Sequence, residues 1–220
     1  MVCAPASSYA GPDGARVELA GSCTDLAGNI GGAVYGLSYD STGPVVAADT
    51  SRAPDAGGWF NRPVSVSFTG TDALSGGVVC DAPIAYAGPD DGSARAAGGC
   101  TDAAGNSARA VNTFRYDATA PVVSAAASRP ADSNGWYNAP LSVSFSGDDA
   151  TSGSVVCDAA KSYAGPDNAR GELAGSCTDL AGNVGSAIYG FSYDATAPVV
   201  SGAASRPADS NGWYNAPLSV

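Results

Sequence analysis

Apolar and small polar positions alternate with a period of two along Pro63-Val64-Ser65-Val66-Ser67-Phe68, and again along Pro140-Leu141-Ser142-Val143-Ser144-Phe145. Successive side chains of an extended chain point to opposite faces, so each run predicts a half-buried strand. Ahead of the first run stand Pro44-Val45-Val46 and a turn-rich stretch ending in Gly58-Trp59-Phe60-Asn61. After it come a turn at Thr71-Asp72-Ala73-Leu74-Ser75-Gly76, a strand through Val78-Val79-Cys80 and a run near Ala85-Tyr86-Ala87. The punctuation Gly88-Pro89-Asp90-Asp91-Gly92 follows, then the turn Ala103-Ala104-Gly105-Asn106 and a last strand over 111–116. No stretch carries the helical period. About seven short strands at this spacing predict an all-β fold built as a small two-sheet sandwich.

The pattern recurs with a period of 77. Cys3, Cys80 and Cys157 are spaced by it, as are Cys23, Cys100 and Cys177, the three tryptophans Trp59, Trp136 and Trp213, and Tyr39, Tyr116 and Tyr193. Residues 44–120 align with 121–197 without a gap, and 45 of 77 positions match. Residues 1–43 match the later part of a unit, and 198–220 repeat 121–143 almost letter for letter. The organisation is therefore two complete repeats, 44–120 and 121–197, between the C-terminal part of one repeat and the N-terminal part of another. Met1 stands where the other units have Val78 and Val155, and the chain is expected to be a piece of a longer array. A 77-residue unit is long for a solenoid repeat and adequate for an independent β domain. The end segments, each lacking strands of its unit, are expected to be the least stable and to leave edges open to pairing between chains.

The six cysteines fall into three pairs 20 residues apart. Zinc needs clustered soft ligands, so the isolated pairs are expected to be disulfides, Cys3–Cys23, Cys80–Cys100 and Cys157–Cys177. Closing a loop of that size contributes about 3 kcal/mol in the chain-entropy account. Such bonds persist in an oxidising compartment, which places the chain outside the cytoplasm.

Charge narrows the function. With 21 acidic and 10 basic residues the net charge is −11, and there is no histidine. A basic stripe for nucleic acid is absent, and no Ser-His-Asp or Cys-His nucleophile can be assembled. No apolar run reaches the roughly 18 residues that span a bilayer as a helix. Adjacent carboxylates at Asp90-Asp91 and Asp148-Asp149 lie in turn-forming stretches with nothing to raise one pKa, so the chain is not expected to be an enzyme.

Asp-Ala-Thr-Ala-Pro-Val-Val at 117–123, Gly-Trp-Tyr-Asn-x-Pro at 135–140, Asp-x-x-Ser-Gly at 72–76 and 149–153, and Cys-Thr-Asp-x-Ala-Gly-Asn at 100–106 and 177–183 together resemble tandem bacterial immunoglobulin-like repeats. The last motif is also similar to the hyalin repeat. The resemblance implies tandem immunoglobulin-like sandwiches with one disulfide each, on an extracellular or cell-surface protein. Its modules build stalks and adhesins, or serve as carbohydrate-binding accessories of secreted hydrolases. A structural or adhesive stalk is the expected function. Partners, an extracellular protein or a glycan, would then be engaged by other parts of the parent molecule. At the first junction, Asp40-Ser41-Thr42-Gly43-Pro44 departs from Asp117-Ala118-Thr119-Ala120-Pro121, and its glycine is expected to loosen the linker.

Two constellations carry candidate chemistry. In a sandwich of this topology one pole gathers Asp40, Asp72, Asp102 and Asn106, and likewise Asp117, Asp148, Asp149, Asp179 and Asn183. Hard oxygen ligands converging at a junction suit Ca²⁺, whereas aspartate and asparagine also cap turns with no ion present. No cofactor other than calcium is expected. The Gly-Trp-aromatic-Asn turns place Trp59 and Trp136 as plugs at one end of their domains, or else offer Trp59, Trp136 and Trp213 as exposed rings for sugars.

Overall fold

The computed structural model describes residues 1–220, and all of its regular structure is β. Strands β1 (Val2–Cys3), β2 (Gly14–Thr24) and β3 (Ile30–Tyr39) form an antiparallel sheet in that order. The first complete repeat has seven strands: β4 (Val45–Thr50), β5 (Trp59–Phe60), β6 (Val64–Thr71), β7 (Val79–Cys80), β8 (Ile84–Tyr86), β9 (Asp91–Thr101) and β10 (Ser107–Tyr116). The second repeats them as β11 (Val122–Ala127), β12 (Trp136–Tyr137), β13 (Leu141–Asp148), β14 (Val156–Cys157), β15 (Lys161–Tyr163), β16 (Asn168–Thr178) and β17 (Val184–Tyr193). No helix is long and apolar enough to cross a membrane.

The chain divides into two compact units. The first comprises Met1–Val123, Gly147–Cys157 and Ser176–Gly185; the second comprises Ser124–Ser146, Asp158–Gly175 and Ser186–Val220. The division runs across strands β11, β13, β16 and β17 of the second repeat.

In the first unit, sheet β4-β6-β8 packs on sheet β5-β10-β9-β7. All pairings are antiparallel except β5 with β10, where Trp59 stands opposite Arg115 and Phe60 opposite Tyr116. The alternation along β6 sets the core: Val64, Val66 and Phe68 are buried while Ser65 and Ser67 stay half-exposed. Facing them are Ala94 and Ala96 of β9 and Phe114 and Tyr116 of β10. Phe60 meets the Phe114 ring edge-on at 5.8 Å, and Tyr86 meets Phe114 at 5.2 Å and Tyr116 at 5.1 Å, the offset geometry that aromatic quadrupoles favour.

Strand β9 departs from the expectation of turns and short runs over 88–102: eleven continuous residues are extended. Its inward side chains are small because the opposite sheet supplies bulk; a Cβ on Gly98 would lie 2.5 Å from the Phe68 ring. The second unit repeats the device, with Gly175 under Phe145 and Gly171 against Phe191. Its core holds Tyr137, Leu141, Val143, Phe145, Phe191 and Tyr193. There the Tyr137 hydroxyl lies 3.0 Å from that of Tyr189, and this hydrogen bond, with burial, pushes the Tyr137 phenol up to about 12.

The end segments differ from the complete repeats. No residue of 1–43 is buried, although its counterparts Ala94, Ala96, Cys100, Phe114 and Tyr116 are. Residues 198–220 contain no strand, only a bridge between Ser210 and Trp213. Their copies at 121–143 are extended where β11 lies against β13 and β12 against β17. Short strands without partner strands do not hold.

Candidate functional site

The hairpin between β9 and β10 closes on itself. Asp102 Oδ1 accepts the Asn106 backbone N–H at 2.9 Å, and Oδ2 accepts its side-chain Nδ2 at 3.0 Å, with Gly105 in the left-handed region at φ +94°. Asp25–Asn29 and Asp179–Asn183 are built the same way. The loop after β6 is an aspartate-capped turn: Asp72 Oδ1 accepts the N–H groups of Leu74 and Gly76, each at 3.0 Å, and the Ser75 hydroxyl at 3.2 Å. Asp149 plays this part in the second repeat, accepting from Ser152 at 2.8 Å and Gly153 at 3.0 Å.

These two loops receive the residue that follows the last strand of the preceding repeat. Asp40 Oδ2 accepts the Ser75 N–H at 3.2 Å, and its carbonyl accepts Asn106 Nδ2 at 3.1 Å. At the next junction Asp117 Oδ2 accepts the Ser152 N–H at 3.0 Å, and its carbonyl accepts Asn183 Nδ2 at 2.9 Å. Each junction thus gathers three carboxylates, Asp40, Asp72 and Asp102 or Asp117, Asp149 and Asp179, with one oxygen of each within 4.8 Å of the others. Asp148 lies outside the second group, at the end of β13; it aligns with Thr71 of the first repeat, and Asp149 aligns with Asp72. Linker contacts add to the knot: Asp90 Oδ1 accepts the Ala118 N–H at 2.9 Å. Gly43 does not stand free, since a Cβ there would come within 3.2 Å of the Ser107 carbonyl oxygen.

The two junctions differ in closure. At the second, Gly57, at φ +54°, leaves so little room that a Cβ would lie 2.6 Å from the Leu180 carbonyl oxygen, and Asn61 Nδ2 donates to the Ala181 carbonyl at 3.0 Å. Asp117 and Ala181 are fully buried, and Ser152 and Asp179 nearly so. The sequence reading missed Gly57, Asn61 and the Ser152 N–H; the Ser-Gly of Asp-x-x-Ser-Gly was the available sign. At the first junction Asp40 and Asp72 are half-buried, and a cavity of about 390 Å³ opens beside Ser38, Tyr39, Leu74, Ala103 and Ala104.

Burial, reinforced by the charges of Asp149 and Asp179, raises the Asp117 pKa. Asp149 is half-buried, yet the N–H groups of Gly153, Thr151 and Ser152 outweigh the cost of that burial and lower it. The N–H groups of Gly76 and Leu74 lower Asp72 in the same way. Calcium takes six to eight oxygens. Here both oxygens of Asp40, Asp102, Asp117 and Asp179 already accept N–H donors, and Asn106 and Asn183 turn their NH₂ ends to the carboxylates. The donor set is that of a hydrogen-bonded knot, with Oδ2 of Asp72 and Asp149 left over for a cation.

The disulfides link Cys3–Cys23, Cys80–Cys100 and Cys157–Cys177. Each joins directly opposed residues on neighbouring antiparallel strands of one sheet. They suit an oxidising environment. In the Gly-Trp-aromatic-Asn turns the second aromatic is the core residue: Phe60 and Tyr137 are buried. The tryptophans diverge, from 5% exposed at Trp59 to 39% at Trp136 and 78% at Trp213, so the plug describes Trp59 alone. Trp59 has the Arg115 guanidinium 5.7 Å from its ring centre and a buried Nε1 without a partner. Trp136 borders an open cavity of about 540 Å³ with Asp167, Asn168, Tyr193 and Thr196. Comparison of the chain with family models, curated proteins and solved structures returns no match.

Proposed function

We propose that the chain is a segment of an extracellular stalk made of tandem immunoglobulin-like modules, carried by a bacterial surface or secreted protein, and that the carboxylate knots are its joints. The observation that carries this reading is Asp117. As the residue that follows the last strand of one repeat, it is held by side chain and carbonyl in the Ser152 and Asn183 loops of the next. A joint fixed by buried and half-buried hydrogen bonds restrains bending, and the high net negative charge discourages non-specific association. The paired cysteines support an oxidising location, and the absence of histidine supports a non-catalytic role.

Small-angle scattering of the chain and of Asn183→Ala tests the stalk. A restrained profile that broadens in the variant is expected. A wild-type profile already like that of freely jointed beads would remove the reading.

A second reading, carbohydrate-binding accessory modules of a secreted hydrolase, draws on Trp136, whose exposed ring borders an open cavity rimmed by Asp167 and Asn168. Titrating tryptophan fluorescence with a panel of cell-wall and plant glycans tests it. Quenching or a shift lost in Trp136→Ala supports sugar binding, and silence across the panel removes it.

A further inference from the structure

Five of the ten basic residues, Arg52, Arg62, Arg95, Arg109 and Arg115, fall in the repeat 44–120. Arg52 and Arg62 are engaged by Asp55, and the other three make no ion pair. These three stand apart in sequence, yet strand register brings them to one surface. Along β9, Arg95 is exposed between buried Ala94 and Ala96, and along β10, Arg109, Val111, Thr113 and Arg115 are exposed in alternation. Arg95 stands opposite Thr113, Ala97 opposite Val111 and Gly99 opposite Arg109. Residues directly opposed on an antiparallel pair share a face, so all three arginines rise from the outer face of sheet β5-β10-β9-β7, along about 20 Å of strand.

The ground between them is low. A Cβ on Gly99 would lie 3.4 Å from Arg109 Cγ, so the arginine stem crosses bare backbone. Arg115 lies over the Trp59 ring, which itself rests across Gly92, 3.6 Å from where a Cβ would stand. Stacking on the ring fixes the guanidinium and leaves its N–H edge free. The acidic side chains at the margins are turned to backbone: Asp81 Oδ2 accepts the Gly99 N–H and Asp91 Oδ1 the Ser93 N–H, each at 2.7 Å.

The fold does not require these cations. Glu18 and Glu172 take the place of Arg95, Gly32 and Ser186 that of Arg109, and Ser38 and Ser192 that of Arg115. The second repeat builds the same two strands with those residues. A cationic face without a structural duty, in one repeat of an acidic chain, is explained by a ligand.

We propose that the outer face of β9 and β10 binds an acidic polysaccharide, Arg95, Arg109 and Arg115 pairing with carboxylates of its uronate units and Val111 lying under a sugar ring. The guanidinium fork matches a carboxylate in two hydrogen bonds. Both strands are flanked on each side within their sheet, so no edge is offered to a peptide strand and side chains alone read the ligand. Val111 and Ala97, both exposed, suit the C–H face of a pyranose. The acidic surface elsewhere repels a polyanion and confines the contact to this face.

Such binding does not require that the modules form a stalk. Isothermal titration calorimetry of the full chain with polygalacturonate oligomers, at low and at moderate salt, tests it. Expected is binding that weakens as salt rises and that falls about tenfold when Arg95→Glu, Arg109→Ser and Arg115→Ser are combined. Those substitutions install the residues of the second repeat, so circular dichroism of the variant is expected to match the wild type. Trp136→Ala should leave the affinity unchanged, which separates this face from the cavity beside Trp136. Methyl-esterified polygalacturonate, the same polymer without its charges, is expected not to bind. Absence of binding, binding that the combined variant retains, or equal binding of the esterified polymer would overturn the proposal. Tighter binding of polyglutamate or polyphosphate would overturn it as well, assigning the face to an acidic peptide or a phosphate polymer.

Discussion

Gly98 lies directly beneath the ring of Phe68, with an added Cβ placed 2.5 Å from two ring carbons. The equivalent glycine of the N-terminal sheet, Gly21, has nothing within 4 Å. Gly98→Ala is therefore expected to lower unfolding free energy by about 1–3 kcal/mol, the usual cost of overpacking a filled core. Gly21→Ala, in a strand where alanine loses less chain entropy, is expected to be neutral or mildly stabilising. Denaturant unfolding of both variants makes the comparison.

Asp55 is opposed by burial, yet the Asn61 N–H, Arg52 and Arg62 hold its carboxyl down at about 2. A carboxyl lowered in the folded state adds stability that is complete above its unfolded pKa and is lost as pH falls through the folded one. Asp55→Asn should cost about 2 kcal/mol at pH 7. The difference from wild type should narrow below pH 4 and vanish only as pH falls below about 2. Asp132, the same position in the second repeat, faces Ala139 in place of Arg62, so Asp132→Asn should cost less. Thermal melts across pH check both.

Replacing Cys80 and Cys100 together by alanine should cost about 3 kcal/mol by releasing the loop constraint on the unfolded chain. Chemical unfolding with and without reductant should give the wild type the same loss and leave the double variant unmoved by reductant in that repeat.

Asn183 donates to both Asp179 and the Asp117 carbonyl, whereas Asn29 donates only within its own hairpin. Asn183→Ala leaves a buried carbonyl and carboxylate short of a donor and should cost about 1–3 kcal/mol. Asn29→Ala, at an exposed turn, should cost under about 1 kcal/mol. Differential scanning calorimetry separates the two.

The knots are expected to hold without a cation, because N–H donors occupy most of their carboxylate oxygens. Melting midpoints in millimolar calcium and in chelator should coincide. A midpoint several degrees higher in calcium would assign the Asp117, Asp149 and Asp179 oxygens to a metal instead.

What could be read in advance depended on how the chain encodes it. Strand β6 was legible because Val64, Val66 and Phe68 alternate with serines. The cysteine pairing was legible because equal 20-residue spacing recurs without histidine, and the Asp40, Asp72 and Asp102 cluster because turn motifs repeat at fixed offsets. Strand β9 was not, since Ala94, Ala96 and Gly98 owe their burial to bulk on the other sheet, a property of the pair. Choosing between Asp148 and Asp149 needed the strand end, which places one before the turn and the other as its cap. The fate of each tryptophan was beyond any local pattern. Trp59, Trp136 and Trp213 share one motif, and only their surroundings separate 5% exposure from 78%.

Asp117 and the Ser152 N–H that it accepts are shut away from solvent, and Asn183 is half-buried beside them. Mobile ions attenuate interactions at the surface and hardly touch those inside. Contacts secured this way are expected to persist from low to high ionic strength, while the acidic exterior around them responds to added salt.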